Sequence, residues 1–192
     1  MYIEKIRNLA KEEVSTLLLP LVERVLCNPK FAYWSGSSKP EQHHFGTGGL
    51  AKHTWEVIDL CFSTKRTLKL YYMSSDELFL AALYHDVGKI KDYRFDGLAE
   101  CPVNWRPAEH KRLIHHISAS AIEWSKAIDT VPLLRDDYHD NVLHAILSHH
   151  GQREWGSPVA PKTQVAWLLH LCDGISARMD DWNKADVINK NK

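Results

Sequence analysis

Steps of three and four residues separate most apolar positions in this chain, so the helical period dominates its pattern. Over residues 3–26 the series Ile6, Leu9, Val14, Leu17, Leu18, Leu21 and Val25 predicts an amphipathic helix, which Pro20 should kink or divide. Residues 28–49 hold Pro29, Pro40 and glycines at 36, 46, 48 and 49, and read as a long ordered loop of functional use. A second helix is expected over 50–70, with Trp55, Ile58 and Phe62 on one face. A third should start at a cap on Ser74 or Ser75, with Asp76 and Glu77 in its first turn. Its run Leu78, Phe79, Leu80, Ala81, Ala82, Leu83 is apolar all round, which predicts a central, buried helix. It should end at His85-Asp86, with Gly88 as its stop.

Residues 90–107 contain Gly97, Pro102 and Pro107 and form a second expected loop, with a short hairpin around 93–98. Three more helices are predicted over 108–128, 136–148 and 161–179, Pro161 serving the first turn of the last. The polar tail 183–192 should fray. No repeat, low-complexity block or linker is visible. The expectation is one all-α domain over 1–192, a helical bundle with two long functional loops and an N-terminal helical segment over 1–27.

Composition narrows the class. Hydrophobic residues make up 44% and charged residues 25%, as in an ordinary globular domain. With 24 basic and 24 acidic side chains, no net charge pulls the chain toward long nucleic acid or an anionic membrane. No apolar run approaches the roughly 20 residues a spanning helix needs. Glu4, Lys5 and Arg7 interrupt the start, so no secretory signal is visible. Cys27, Cys61, Cys101 and Cys172 lie too far apart for a zinc ribbon and read as reduced thiols packed in a cytoplasmic protein.

The twelve histidines change the picture. His53 lies in the first turns of the second helix, and His85-Asp86 ends the third. His115-His116 lies mid-helix in the fourth, His149-His150 ends the fifth, and Asp173 lies within the sixth. Each helix therefore offers an imidazole or a carboxylate, and a bundle can converge such groups on one interior point. A carboxylate closing so apolar a helix is costly to desolvate, and a divalent cation removes that cost. Imidazole and carboxylate donors without thiolates suit Mn, Fe, Co, Ni or Zn, with Mg also accommodated. Asp86 is the natural bridging group, because a carboxylate offers two oxygens.

Several stretches carry a resemblance. They are His43-His44-Phe45 with Gly48-Gly49-Leu50-Ala51-Lys52-His53-Thr54, then His85-Asp86-Val87-Gly88-Lys89-Ile90, and then His116-Ile117-Ser118. Ser148-His149-His150-Gly151 follows with Glu154, Gly156, Ser157 and Pro158, and last Leu171-Cys172-Asp173 leading to Ala177-Arg178-Met179. In this order, over about residues 40–180, the chain resembles the HD superfamily of metal-dependent phosphohydrolases, most nearly the HD domain of YhaM-type 3′–5′ exoribonucleases. Two features depart from that branch. Its enzymes carry an N-terminal OB-like nucleic-acid module for which 192 residues leave no room, and His115 stands where a glycine is expected. The Gly-Gly-Leu-x-x-His-Thr segment is also similar to the HD domain of MobH-type conjugative relaxases.

The resemblance implies one metal held by His53, His85, Asp86 and Asp173, and a second held by Asp86, His116, His149 and His150. His115 is the alternative to His116, and His150 could instead stand behind the ligands. A hydroxide held between two cations would then attack the phosphoryl group. No Gly-x-Ser-x-Gly motif and no P-loop competes with this chemistry. Lys89, with Asp86, is the catalytic candidate, as a cation for a phosphate oxygen. Arg178 is read either as a phosphate contact or as one side of an interhelical ion pair. His43 and His44 are read either as lining the substrate entrance or donating to a leaving group, or as packed or solvated loop residues.

Trp155, Tyr93 and Trp105 are loop aromatics that either pack or stack on bases. Arg94, Arg106, Lys111, Arg112 and Arg153 would form a basic rim. His110, His139, His144 and His170 are read as surface or core residues. The expected activity is divalent-metal-dependent hydrolysis of phosphodiesters in single-stranded RNA or DNA from the 3′ end. The alternatives are a nucleotidase or small phosphomonoesterase, a relaxase-like DNA-transfer domain, and a nucleotide-binding module with little turnover.

Overall fold

The computed structural model describes residues 1–96 and 105–190, with side chains through 185. At its centre lies α5 (Ser75–Tyr84), buried on every face from Leu78 to Tyr84. Ser74 caps it, its Oγ accepting the Glu77 N–H at 3.2 Å, while Asp76 and Glu77 complement the positive end of the helix dipole. The one polar group that α5 carries into the core is satisfied, because the Tyr84 hydroxyl donates to the Leu21 carbonyl at 2.7 Å.

Helices α1 (Tyr2–Glu13), α2 (Leu19–Leu26), α4 (Gly49–Thr67), α8 (His116–Ile128), α9 (Pro132–Ser148) and α10 (Gln164–Lys190) pack around α5. Their inward side chains form one apolar core, in which Trp124, Phe31, Phe62 and Phe79 are the largest members. The short helices α3 (Pro29–Tyr33), α6 (Lys89–Asp92) and α7 (Glu109–Leu113) lie in the connections. Strands β1 (Tyr93–Phe95) and β2 (Trp105–Pro107) pair antiparallel, Tyr93 opposite Pro107 and Phe95 opposite Trp105.

The all-α reading holds, with several differences of detail. The predicted N-terminal helix breaks at Val14, whose backbone is extended, and not at Pro20. Pro20 instead lies in the first turn of α2, where a missing N–H costs nothing. The stretch predicted as continuous over 108–128 is broken at Ile114–His115, where His115 takes φ +68°. Pro161 lies outside α10, which begins after Thr163, whose Oγ1 accepts the Ala166 N–H at 3.2 Å.

The polar segment expected to fray continues α10 as helix to Lys190, and the Asp180–Lys184 ion pair at 2.9 Å supports that turn. The hairpin reaches from β1 to Trp105 rather than closing near residue 98; Gly97, Leu98, Cys101 and Pro102 lie outside the described residues. Cys61 and Cys172 are buried as expected of packed thiols, whereas Cys27 is exposed. Among the described residues no helix is long and apolar enough to cross a membrane.

Gly88 does not stop α5 by a left-handed turn; its backbone is right-handed helical. Its role is close approach. A Cβ there would stand 2.2 Å from the His116 carbonyl oxygen, and its N–H donates to Ser120 Oγ at 2.9 Å. The chain after Asp86 can therefore lie directly on the start of α8.

Candidate metal centre

Asp86 follows the last residue of α5 by two positions and is 1% exposed. Its two oxygens face different partners. Oδ2 lies 3.3 Å from His53 Nε2, 3.4 Å from His85 Nε2 and 2.6 Å from Lys89 Nζ. Oδ1 lies 3.5 Å from His116 Nε2 and 3.8 Å from His149 Nε2. Asp173, from α10, closes the first side, with Oδ1 3.0 Å from His53 Nε2 and 3.9 Å from His85 Nε2. His150 closes the second, its Nε2 3.4 Å from that of His116.

The imidazoles are held in one tautomer by their outer nitrogens. His85 Nδ1–H donates to the Ala82 carbonyl at 2.8 Å and His149 Nδ1–H to the Ile146 carbonyl at 2.7 Å. Both carbonyls belong to the preceding helical turn, so the end of each helix supplies the acceptor. His150 Nδ1–H donates to the Trp155 carbonyl at 2.6 Å, His53 Nδ1–H to Ser176 Oγ at 3.0 Å, and His116 Nδ1–H to Asp92 Oδ2 at 3.2 Å. Five Nε2 lone pairs are thereby left to point at one another and at two carboxylates. Such a set repels itself unless a cation or a proton sits among it. Orienting imidazole through its far nitrogen is how proteins prepare metal ligands.

The protein itself leaves part of this set unsatisfied. Apart from the Lys89 ion pair to Oδ2, neither Asp86 oxygen nor His149 Nε2 has a hydrogen-bond partner of normal geometry, although all three are buried. Leaving buried polar atoms unpaired is costly, and a divalent cation placed among them would offset that cost. The donor set therefore fits a divalent metal centre.

The charge states agree with this. Burial pushes down the His149 imidazole, and burial against the pull of Asp92 lowers that of His116 to about 4. Both are neutral, with a lone pair to give. Burial opposes a charge on His53 as well, but Asp173 and Asp86 outweigh it and raise that imidazole to about 8. There a proton holds the place of a cation between two carboxylates. Against their own burial, Asp86 is kept well below the ordinary carboxylate range by Lys89, His85 and His53, and Asp173 is kept there by His53.

The chain matches the HD domain family over residues 50–178. It belongs to that family. The chain is 34% identical over 147 residues to the 3′-5′ exoribonuclease YhaM of Bacillus subtilis (strain 168), covering 76% of this chain and 43% of that protein. It is 33% identical over 158 residues to the YhaM of Bacillus pumilus (strain SAFR-032), covering 81% of this chain and 46% of that protein. The chain thus spans less than half the length of these relatives. No solved structure matches it.

Other expected site residues fall in different places in this HD domain. Lys89 is buried and its ammonium, held above its ordinary range by Asp86 despite burial, lines a cavity beside the centre. His43 and Arg178 line the same cavity. His44 does not reach the entrance. It is buried behind His53, donating from Nε2 to Glu56 Oε2 at 2.7 Å and from its main-chain N–H to Asp180 at 2.7 Å. His116 faces the centre, while His115 stands at the position before α8 without a capping hydrogen bond, the two ring centroids 4.1 Å apart.

Tyr93 and Trp105 are buried, Trp105 against Trp34 at 4.8 Å. Trp155 instead lines the cavity, half exposed. The basic rim is dispersed: Arg94 and Arg106 both approach Asp96, Arg112 pairs with Glu109, and Lys111 lies over the Tyr93 ring. His139 and His144 lie apart from the centre, beside Asp140 and the Lys162 N–H.

Three residues that the sequence reading passed over support the ligands. Asp92 holds His116. Ser176, which accepts from His53, donates to Glu56 at 2.8 Å. The available signal was helical spacing: Glu56 follows His53 by three residues, and Ser176 follows Asp173 by three.

Proposed function

We propose that this HD domain is a divalent-metal-dependent phosphohydrolase acting on phosphodiester bonds of single-stranded nucleic acid from the 3′ end. The observation that carries the proposal is the buried Asp86 carboxylate, turned with one oxygen toward His53 and His85, which Asp173 also approaches, and the other toward His116 and His149, with His150 beside His116. Those two groups would hold two ions, drawn from Mn, Fe, Co, Ni or Mg. Bound there, the ions supply Lewis acidity and an acidic water, which is the chemistry phosphoryl transfer needs.

The chain's own groups do the rest. Lys89, fixed by Asp86, presents an ammonium to a phosphoryl oxygen in the cavity. Arg178, exposed on α10, takes a second phosphate or the far oxygen of the first. Asp92 keeps His116 in one orientation, and the Ser176–Glu56 pair does the same for His53. The exonuclease direction and the nucleic-acid substrate are brought by the likeness to the exoribonuclease relatives. The setting we propose is cytoplasmic, a reading that the buried free thiols of Cys61 and Cys172 support.

A nucleotidase is the second reading, favoured by the size of the cavity, about 590 Å³, which suits one nucleotide better than a bound strand. The test is elemental analysis of protein purified without chelator, followed by hydrolysis of bis-p-nitrophenyl phosphate, p-nitrophenyl phosphate and end-labelled single-stranded RNA. Diester and RNA cleavage are expected, lost together with the metal in Asp86→Ala. Cleavage of the monoester alone would select the nucleotidase, and full activity in Asp86→Ala would overturn the site.

A further inference from the structure

We propose that Trp155 and His170 form a shelf on which a nucleobase lies, so that the cavity's ligand class is a nucleoside phosphate and not phosphorylated small molecules in general. The inference deepens the phosphohydrolase reading and rests on it only for the phosphate end of the ligand.

The cavity has two kinds of wall. Lys89, Arg178 and His43 supply cationic or hydrogen-bonding groups, and Trp155 and His170 supply aromatic faces. Both rings are hung from consecutive residues of the centre. The Trp155 carbonyl accepts the His150 Nδ1–H at 2.6 Å, and Ser157 Oγ accepts the His150 main-chain N–H at 3.1 Å. Between them the chain turns at Gly156, with φ +97°. His170 Nδ1–H donates to the His149 carbonyl at 2.7 Å. Its ring lies so close to Gly151 that a Cβ there would stand 2.4 Å from Cε1.

The two ring centroids are 6.4 Å apart and the planes only 31° from parallel. Trp167 backs His170 at 6.0 Å. Trp155 is therefore an indole anchored through its backbone carbonyl and not used by the core: it stays 50% exposed, whereas Trp105 and Tyr93 are buried. Burying its open face against a planar ring gains contact whatever the base, because every base has a π face. The phosphate would then lie toward Lys89 and Asp86, at the other wall.

The experiment measures binding of adenosine 5′-monophosphate, uridine 5′-monophosphate and ribose 5-phosphate to the metal-loaded protein by calorimetry. The wild type should bind both nucleotides about 5- to 150-fold more tightly than the sugar phosphate, the range that stacking of one base supplies. Trp155→Ala should bind all three alike, and Trp155→Phe should keep most of the preference. Equal binding of the three probes by the wild type would overturn the shelf, as would a preference undiminished in a folded Trp155→Ala protein. The comparison on the wild type decides even where the alanine variant fails to fold. Hydrolysis of phosphoesters with no base preference sinks the shelf and leaves the phosphohydrolase reading standing. A base preference without hydrolysis of any ester does the reverse.

Discussion

Replacement of Asp92 by alanine should weaken one half of the metal centre and spare the other. Asp92 is fully buried and accepts three hydrogen bonds: the His116 main-chain N–H at 2.9 Å, His116 Nδ1–H at 3.2 Å and His110 Nδ1–H at 2.9 Å. Burial opposes its charge, yet His116 and His110 hold the carboxyl below the ordinary range, so it is an anion. Alanine leaves the first N–H of α8 without an acceptor and frees the His116 ring to turn.

Hydrogen bonds to a charged group contribute about 1.5–3 kcal/mol each, and the three lost here leave their N–H groups short of an acceptor. Against a typical stability of about 5–15 kcal/mol the variant should still fold, with a lower urea midpoint. Loss of the group that orients a ligand imidazole typically costs about 10- to 100-fold in metal affinity. Under the proposed two-ion arrangement, the loss should fall on an ion held by His116, His149 and His150, and not on one held by His53, His85 and Asp173.

Titration of metal-free protein with Mn or Co, followed by calorimetry, should resolve one unchanged step and one weakened step. Asp92→Asn keeps an oxygen for the main-chain N–H, so it should recover much of the stability and less of the affinity. Two unchanged binding steps in Asp92→Ala would refute the claim that this carboxylate sets His116.

Three further outcomes are expected. Lys89→Ala should retain metal but lower turnover by about 10²-fold or more, as loss of a fixed charge at a phosphoryl oxygen does; unchanged turnover would remove Lys89 from the reaction. Asp180 receives Lys52 at 2.7 Å, Lys184 at 2.9 Å and the His44 N–H at 2.7 Å, which together outweigh its burial and depress its carboxyl. A depressed folded value means stability that is present above the unfolded carboxylate range and is lost as pH falls, so the gap in urea midpoint between wild type and Asp180→Asn should be flat near neutrality and close below about pH 4. His115→Gly should raise the midpoint, because a non-glycine at φ +68° stores about 1–3 kcal/mol of strain, of which glycine's greater unfolded freedom returns about 0.5–1; a lower midpoint would mean that ring contacts with His116 outweigh the strain.

Much of this protein is legible in one dimension because its determinants are local. The three- and four-residue steps depend on neighbouring turns, the Ser74 cap acts on an N–H three residues away, and an all-apolar run such as 78–83 can only lie inside. The order of histidines and aspartates is equally local, since each sits at a definable place on its own helix.

What the chain order could not decide is which groups meet. His115 and His116 are chemically identical, and the choice between them is made by Asp92, which pulls the His116 N–H and Nδ1–H toward α6, and by Gly88, which lets α6 lie on α8. That contact also breaks the helix that periodicity ran straight through position 115. His44 looks like its neighbour His43 in sequence, yet Glu56 on α4 and Asp180 on α10 draw it behind His53. In each case the deciding partner is 12 to 136 residues away. Hydrogen bonds over such separations exist only once the helices have packed, so the helices were written in the sequence and the wiring of the centre was written in their packing.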